Sequence, residues 1–369
     1  MTHPIGLYLH IPFCDGKCYY CSFFSEKRDD AFLSAYTEHM KRSIRLWSQR
    51  LRRPVRTIYF GGGTPSVLGH ERLADILGTV KECFEVQSDA EITVEVNPSS
   101  RGSLDYTVLK EAGFNRLSVG LQSASDHELR LLGRRHTVDD VTCTVQEAQE
   151  AGFDNISLDV MLAIPDQTIE SLEKTMIYCA NLSVQHISAY ILKVEEGTRF
   201  FEERDHLGLF DDDAQAEFYT YTVNRLHELG YPQYEISNFA KPGHESRHNL
   251  IYWHDEEYLG LGPSAHSFID GKRFYYSDSF DAFLSDHTCF ESKGGDREEY
   301  IMLALRLTEG LIFDRYLERY GEPLGDAFCH AAEKLADNGL VKLSPAGLSL
   351  TMDGFMVSNS VIGYLMEST

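Results

Sequence analysis

Short β-rich runs alternate with longer amphipathic runs from Ile5 to Leu192 in this 369-residue sequence. The amphipathic runs carry apolar residues at three- and four-residue spacing, and several stop at glycine, as at Ala112-Gly113. This repetition predicts a parallel sheet, because each helix returns the chain to the same end of the sheet. The predicted strands are Gly6–Ile11, Thr57–Phe60, Glu91–Val96, Arg116–Leu121, Asn155–Met161 and His186–Leu192. The predicted helices are Asp30–Gln49, Glu71–Phe84, Leu104–Ala112, Asp126–Leu132, Val138–Ala151 and Glu170–Asn181.

Six βα units are fewer than the eight that close a barrel. The predicted fold class is therefore α/β, an open partial (β/α)6 TIM-like barrel ending near residue 200. The pattern then changes to a helix at Ala214–Leu229 and an aromatic-rich, irregular stretch at Tyr231–Tyr276. From Glu298 helical patterns return, with a predicted hairpin at Asn338–Leu350 and a last helix at Val357–Leu365.

Three units are expected from these changes of pattern. Residues 1–200 form the partial barrel, residues 201–295 a C-terminal α/β extension of it, and residues 296–369 a small helical, winged-helix-like domain. A wing often indicates DNA binding, but this acidic segment shows no basic recognition face, so it is interpreted as a lid or docking module.

The composition is that of a globular protein, with 43% hydrophobic and 25% charged residues. A formal charge of −23 repels nucleic-acid phosphates and anionic lipids, so nucleic acid is not expected as a partner. The start, Met1–Pro4, has no basic segment leading into an apolar run, and no stretch is long enough to span a membrane. A cytoplasmic protein is expected.

Three of the eight cysteines, Cys14, Cys18 and Cys21, follow the first predicted strand directly. Their loop should lie at the carboxyl edge of the sheet, where parallel α/β folds build active sites. Thiolates at C-x3-C-x2-C spacing can hold three corners of a cubane iron–sulfur cluster and leave one iron open. The alternatives are three unrelated thiols, or a zinc site completed by His10, although no second short-spaced ligand couple follows. The other cysteines are interpreted as small buried side chains: Cys83, Cys143, Cys179, Cys289 and Cys329.

Polar groups and glycines follow the next four predicted strands. The second strand runs into Gly61-Gly62-Gly63-Thr64, where the absence of Cβ atoms lets the backbone approach a ligand. The third, fourth and fifth strands end in or next to Glu95, Gln122 and Asp159, and Arg134 adds a cation suited to a carboxylate. A polar residue can merely end a strand, but three in succession at the cysteine edge favour one shared ligand.

The cysteine spacing, with Tyr20 before the last cysteine, resembles the signature of the radical S-adenosylmethionine (SAM) superfamily. In that superfamily three cysteines hold a [4Fe–4S] cluster whose open iron chelates SAM, and reduction of the cluster cleaves SAM to methionine and a 5′-deoxyadenosyl radical. Tyr8 and His10 fit the Y-x-H-x-P-F-C opening of its coproporphyrinogen-oxidase-like branch, and the resemblance spans the whole chain. By this resemblance Cys14, Cys18 and Cys21 bind the cluster. The implied SAM contacts are Tyr8, Tyr20, Gly62, Gly63, Thr64, Glu95, Gln122, Arg134 and Asp159.

Two features depart from the oxygen-independent coproporphyrinogen III oxidases of this branch. Those enzymes have a further cysteine two residues after the triplet and a long N-terminal extension, whereas this chain has Phe23 and thirteen residues before Cys14. Both departures argue against porphyrinogen decarboxylation.

The run from His248 to Trp253 is similar to the H-N-x-x-Y-W signature of the HemW-type haem chaperones, which deliver haem to haem-requiring proteins such as respiratory enzymes. An imidazole can be an axial ligand of haem iron, and Tyr252 and Trp253 offer flat aromatic surface to a porphyrin. The alternative is a hydrogen-bonded loop histidine beside core aromatics. Three further histidines compete as axial ligand: His244, His254 and His266.

The function expected from this resemblance is a radical SAM-type [4Fe–4S] protein that acts as a haem chaperone, with haem as cargo. The alternative is a radical SAM enzyme acting on a tetrapyrrole, an oxidoreductase like the coproporphyrinogen oxidases. A structural cluster protein without SAM does not account for the shared placement of four polar residues: Glu95, Gln122, Arg134 and Asp159. No catalytic residue is assigned, and homodimerisation and transient contact with membrane proteins stay open.

Overall fold

The computed structural model describes residues 3–98 and 104–367 of the chain. The predicted βα alternation is confirmed. Most strands and helices begin and end within two residues of the predicted positions. β3 begins five residues earlier than predicted, because the polar residues Gln87, Ser88 and Asp89 are at least partly exposed and interrupt the apolar pattern. The strands are β1 (Ile5–Ile11), β2 (Val55–Gly62), β3 (Val86–Val96), β4 (Arg116–Gln122), β5 (Ile156–Leu162) and β6 (His186–Ile191). The helices are α1 (Asp30–Leu51), α2 (His70–Cys83), α3 (Tyr106–Ala112), α4 (Asp126–Leu131), α5 (Val138–Glu150) and α6 (Ile169–Asn181).

The stretch Tyr231–Tyr276 was predicted to be irregular, and that prediction was wrong. It holds five strands of three or four residues and one helix, too short for a periodic sequence signal. The elements that follow β6 are α7 (Arg199–Glu203), α8 (Asp212–Glu228), β7 (Gln233–Glu235), β8 (Asn238–Ala240), α9 (Arg247–Trp253), β9 (Tyr258–Leu261), β10 (His266–Ile269), β11 (Lys272–Tyr275), α10 (Phe280–Leu284) and β12 (Cys289–Lys293).

Twelve strands form one sheet in the order β12-β11-β10-β9-β1-β2-β3-β4-β5-β6-β8-β7. Strands β1 to β6 are parallel, as predicted, and β9 pairs in parallel with the outer side of β1. The other added strands pair antiparallel, with β8 on β6 and β10 on β9. The sheet therefore stays open, and the segment after residue 200 extends both of its edges instead of forming a separate sheet.

Alternate residues of the central strands point into the barrel or out to the helices. In β4, Leu117 and Val119 join the main apolar core, whereas Arg116 and Ser118 line an interior cavity. In β5, Leu158 belongs to the same core. Because successive strand side chains point to opposite faces, this period of two gives the barrel a polar interior and an apolar outer layer.

The last segment forms a small three-stranded sheet with five helices, in agreement with the predicted winged-helix-like domain. The order of its strands is β13-β15-β14. Its elements are α11 (Arg297–Ala304), β13 (Leu311–Ile312), α12 (Phe313–Tyr320), α13 (Asp326–Asp337), β14 (Val341–Ser344), β15 (Gly347–Leu350), α14 (Met352–Met356) and α15 (Ser358–Met366). Across the described part of the chain, no helix has the length and apolarity needed to span a membrane.

Candidate functional site

The cysteine loop, residues 12–29, leaves the carboxyl end of β1 and is fixed at its base before the chain enters α1. The Cys14 N–H donates to the Glu26 carbonyl at 3.2 Å. Phe13 is fully buried and packs edge-on against Tyr36, with 4.9 Å between the ring centroids. The loop is therefore held against the barrel while its cysteines stay partly exposed.

Cys14, Cys18 and Cys21 are free of disulfides and line one pocket of about 170 Å³. Cys14 Sγ lies 3.2 Å from Thr64 Oγ1, and Arg134 Nη1 lies 3.5 Å from Cys18 Sγ. Among the described residues, no three His, Cys, Asp or Glu side chains already stand at the spacing of a bound metal ion. The loop thus presents three free thiols to one pocket, a donor set that fits a three-cysteine iron–sulfur cluster.

The glycine loop after β2 packs directly on the cysteine loop. The Gly63 N–H donates to the Ile11 carbonyl at 2.9 Å, and the Thr64 N–H donates to the Phe13 carbonyl at 2.8 Å. A Cβ atom at Gly63 would stand 2.8 Å from the Phe13 carbonyl oxygen, closer than real Cβ contacts come. Gly62 has φ +113°, a conformation that side chains disfavour. Close approach of the two loops therefore requires glycine.

Most of the predicted SAM contacts line the pocket that holds the cysteines. Arg134 Nη2 donates to the Gly120 carbonyl at 2.9 Å, which holds its guanidinium over the end of β4. Gln122 has φ +70° and accepts from the Tyr190 hydroxyl at 2.8 Å. The predicted contacts that the structure brings together are Tyr20, Gly62, Gly63, Thr64, Glu95, Gln122, Arg134 and Asp159.

Tyr8 lies apart from this pocket. Its hydroxyl is 3.0 Å from His10 Nδ1, and its ring stacks on Tyr59 with 6.2 Å between centroids. Tyr8 lines a neighbouring groove with Tyr252 and Gly62. The contact between Tyr8 and SAM therefore stays a prediction.

Two buried carboxyl groups at the site have raised pKa values. Burial, with the negative charge of Asp159, raises the pKa of Glu95 to about 8, although Tyr59 and Gly62 donate to its two oxygens at 2.9 and 3.2 Å. Burial also raises the pKa of Asp159 to about 6, although Ser118 donates to it at 3.1 Å. Desolvation outweighs the hydrogen bonds at both groups, so Glu95 holds its proton near neutral pH until a cation binds beside it.

A second cavity, of about 420 Å³, lies in the barrel interior beside the cysteine pocket. Cys21, Glu95 and Asp159 line both. Sequence reasoning missed its deeper residues because it considered only the ends of the strands. The period-two placement of polar residues in β4 to β6 was the signal that could have found them: Arg116, Ser157, His186 and Ser188.

Helix α9 carries the His248–Trp253 segment and is fixed by side chains on other elements. The Glu91 carboxylate accepts from the N–H groups of Arg247 and His248 at 3.1 and 3.0 Å, which satisfies free donors at the helix N-terminus. Its first residue, Arg247, also donates to the Asp89 carbonyl at 2.5 Å. The segment is therefore an ordered helix and not a loop.

The His248 ring is 1% exposed, and both of its nitrogens have partners. Nδ1 lies 2.7 Å from Thr57 Oγ1 and Nε2 lies 2.8 Å from the Tyr252 hydroxyl. Burial, followed by the charges of Arg116 and Arg56, lowers its pKa to about 3. An axial-ligand role would require this neutral ring to give up a hydrogen bond, and that role stays a prediction.

Tyr252 faces the groove that also holds Tyr8, a space of about 440 Å³ between the cysteine loop and β9 and β10. His266 stands on its rim, with a half-exposed side chain, and Nδ1 is 3.2 Å from Glu291 Oε2. Trp253 is half-buried at the end of α9. Aromatic rings and histidines dominate this groove: Tyr8, His10, Phe23, Phe24, Tyr252, Tyr258 and His266.

Comparison with known families matches two regions of the chain. Residues 8–179 match the radical SAM superfamily, and residues 296–357 match the HemN C-terminal domain. The first match contains the cysteine loop and every predicted SAM contact, and the second lies in the small C-terminal domain.

Several curated relatives are similar over nearly the whole chain. The haem chaperone HemW of Bacillus subtilis is 35% identical, with 96% of this chain and 97% of the relative covered. The haem chaperone HemW of Mycobacterium tuberculosis H37Rv is 34% identical, with 98% and 95% covered. The mitochondrial radical SAM domain-containing protein 1 of Bos taurus is 32% identical, with 98% and 87% covered.

Among solved structures, coproporphyrinogen III oxidase (HemN) from Escherichia coli has a similar fold. Its TM-score is 0.85 at 23% identity, with 99% of this chain and 90% of that chain covered. The likeness confirms the predicted fold class, the partial barrel with its extension and C-terminal domain. At this identity it supports the architecture alone.

Proposed function

The chain belongs to the HemW-type family of the radical SAM superfamily, and we propose that it acts as a haem chaperone, which binds haem and transfers it to haem-dependent proteins. The observation that carries this proposal is the similarity to haem chaperones over 96% of the chain, at 35% identity in one case. The recipients we expect are haem-dependent proteins such as respiratory enzymes.

Cys14, Cys18 and Cys21 would hold a [4Fe–4S] cluster, and the pocket beside them would hold SAM. When bound, the cluster supplies an open iron site for the amino and carboxylate groups of SAM. Arg134, held over the cysteine pocket by Gly120 and Asn97, offers its charge to a carboxylate. Glu95 lines the same pocket and can lose its proton to pair with an ammonium group.

Haem would lie in the groove lined by Tyr252, against flat aromatic side chains and beside the cysteine loop. Phe23 is 66% exposed on the wall of this groove, where its ring offers apolar surface to a porphyrin. A shallow, open groove suits a protein that must hold haem and release it again. His248 and Trp253 belong to the same helix as Tyr252, so haem binding would be sensitive to changes in this helix.

Haem titration of the anaerobically reconstituted protein tests the proposal. We expect one haem per chain at micromolar concentration.

We expect His248→Ala to weaken haem binding or alter the haem absorption bands while the cluster absorption stays. His266→Ala tests the competing ligand, because the Glu291 contact orients its ring and Nε2 faces no protein partner among the described residues. The control is His330→Ala, an exposed residue of α13. Failure of both apo and cluster-loaded protein to bind haem would end the chaperone proposal.

One observation favours the alternative, a radical SAM enzyme acting on a tetrapyrrole: the 420 Å³ interior cavity adjoins the cysteine pocket. Phe23 stands where the oxidases of this branch have a cysteine, so we expect no decarboxylation of coproporphyrinogen III with SAM and a strong reductant. Formation of protoporphyrinogen, with release of 5′-deoxyadenosine, would favour the enzyme.

A further inference from the structure

Within the described part of the chain, Arg116 is a buried cation without a hydrogen-bonding partner. It lies on β4, points into the barrel interior, and is 2% exposed. Its Nε is fully buried and unpaired. No hydrogen bond or ion pair joins its guanidinium to any other residue in 3–98 or 104–367. A buried, unpaired charge strongly destabilises a fold, so a folded protein retains one where a bound group neutralises it.

The carboxyl groups near Arg116 accept hydrogen bonds from other donors. Glu95 accepts from Tyr59 and Gly62, and Asp159 accepts from Ser118. Glu91 accepts from the first N–H groups of α9. None of these three groups reaches Arg116 within hydrogen-bonding distance. The carboxyl groups of Glu95 and Asp159 interact with its guanidinium only through space, and no carboxylate of the described residues pairs with it directly.

Two other polar atoms around Arg116 also lack hydrogen-bonding partners among the residues that the structure describes. Thr93 pairs with Arg116 across β3 and β4, and its Oγ1 is buried without a hydrogen bond. Asn238, which lines the same cavity, has a buried and unpaired Oδ1. His186 does not compensate the charge, because both ring nitrogens are taken by Ser157 and Tyr234. Three unsatisfied side chains in one region are unusual where buried polar groups are almost always paired.

We propose that Arg116 binds the carboxylate of a ligand that occupies the 420 Å³ interior cavity. The guanidinium presents paired N–H donors, which match a carboxylate in a bidentate arrangement. Glu95 and Ser118 lie two residues further along their strands, about 7 Å higher in the barrel. A ligand held by Arg116 therefore reaches the level of the cysteine pocket, where SAM would bind.

Two sources of this carboxylate match the chemistry of the guanidinium. One is a free, short dicarboxylic acid, and the other is a propionate arm of a tetrapyrrole. The second source rests on the proposed haem function, whereas the first does not. His248 does not line this cavity, although Asn249 of the same helix does.

The first experiment compares succinate with its neutral dimethyl ester on the full-length chain. We expect succinate to raise the midpoint of thermal unfolding and the ester to leave it unchanged. In Arg116→Met the succinate affinity should fall by about 10- to 100-fold, the usual effect of losing hydrogen bonds to a charged group. Arg116→Lys keeps the positive charge without the bidentate geometry. Its succinate affinity should lie between that of the unchanged protein and that of Arg116→Met. Arg130→Met, on the exposed face of α4, is the matched control and should respond as the unchanged protein does.

The second experiment compares haem with haem dimethyl ester. If the propionate is the ligand, esterification and Arg116→Met each weaken haem binding about tenfold or more, and together they weaken it little further. A response to succinate alone assigns the site to a free acid. The proposal is overturned if the unchanged protein binds each acid no more tightly than its ester. This comparison needs no variant, so it remains possible even if Arg116→Met does not fold. Absence of haem binding would sink the chaperone function and leave the succinate test intact.

Discussion

Cys14, Cys18 and Cys21 face one pocket, and the other five cysteines of the chain do not line it. Replacing any of the three by alanine should remove the visible absorption of the reconstituted cluster, because a cubane cluster held by two thiolates is no longer retained. The unchanged protein should carry about four irons per chain. The control is Cys83→Ala, at the end of α2, which should keep both iron and absorption. Binding of zinc without iron after reconstitution would contradict this prediction.

The raised pKa of Glu95 makes the stability of the apo protein depend on pH. Burial raises its pKa from 4.5 to about 8, so the folded protein retains a proton that the unfolded chain releases. The free energy of unfolding should therefore fall as pH rises from about 4.5 to 8, by roughly 3 to 5 kcal/mol from this group. Urea unfolding at several pH values measures the slope.

Glu95→Gln should flatten this slope, because the amide does not titrate. Asp159 and Glu235 have pKa values raised to about 6 and about 7, and they change stability in the same direction, but both remain in the variant. The difference between the two proteins therefore reports the titration of Glu95 together with its electrostatic coupling to Asp159. Glu170→Gln, an exposed site on α6, is the control and should keep the full slope. Equal slopes for Glu95→Gln and the unchanged protein would show that Glu95 is ionised in the folded state at neutral pH.

Among the elements, those with a clear period were predictable from sequence and those without one were not. β5 was predicted at Asn155–Met161 and lies at Ile156–Leu162, because its apolar run is bounded by turn residues. The short strands β7 to β11 gave no such signal, since their pairing depends on β1 and β6, far away in the sequence. The same distinction holds for the site. The order of the strands was enough to predict that Glu95 and Asp159 lie at the same edge of the sheet. The burial of His248 and the lack of a hydrogen-bonding partner for Arg116 among the described residues depend on packing between elements far apart in the sequence.

The contact between the glycine loop and the cysteine loop predicts a large effect of one methyl group. In Gly63→Ala the new Cβ would meet the Phe13 carbonyl oxygen at 2.8 Å and the Ile11 carbonyl oxygen at 3.0 Å, so the loops must move apart. Because backbone atoms cannot rotate away, we expect lower iron retention after reconstitution and weaker SAM binding. The control is Gly78→Ala in α2, where a Cβ meets nothing within 4 Å and helix propensity improves. Full iron content in Gly63→Ala would show that the loops tolerate separation.

At the scale of the whole molecule, a buried ion-pair network joins the extended barrel to the C-terminal domain. The Asp255 side chain is 0% exposed and pairs with Arg273 on β11 at 3.0 Å and with Arg319 on α12 at 2.5 Å. Arg273 also pairs with Glu299 on α11 at 2.6 Å. Asp255 thus links Arg273 of the main sheet to α12, and Glu299 links the same arginine to α11. The Gly294-Gly295 turn lies beside Asp255.

Asp255→Asn should therefore loosen the C-terminal domain. The change removes the negative charge and leaves Arg273 and Arg319 facing each other, so we expect a loss of about 3 kcal/mol in the free energy of unfolding. Limited proteolysis should then cut near residue 295, at the predicted boundary between the second and third units. The control is Glu309→Gln, which breaks a more exposed ion pair with Arg315. It should lower the free energy of unfolding by under about 1 kcal/mol and create no new cleavage site. If Asp255→Asn is as stable and as resistant as the control, packing between the apolar faces holds the domain and the ion pairs do not. Cleavage near residue 295 with intact cluster absorption would show that the barrel keeps its metal site when the small domain detaches.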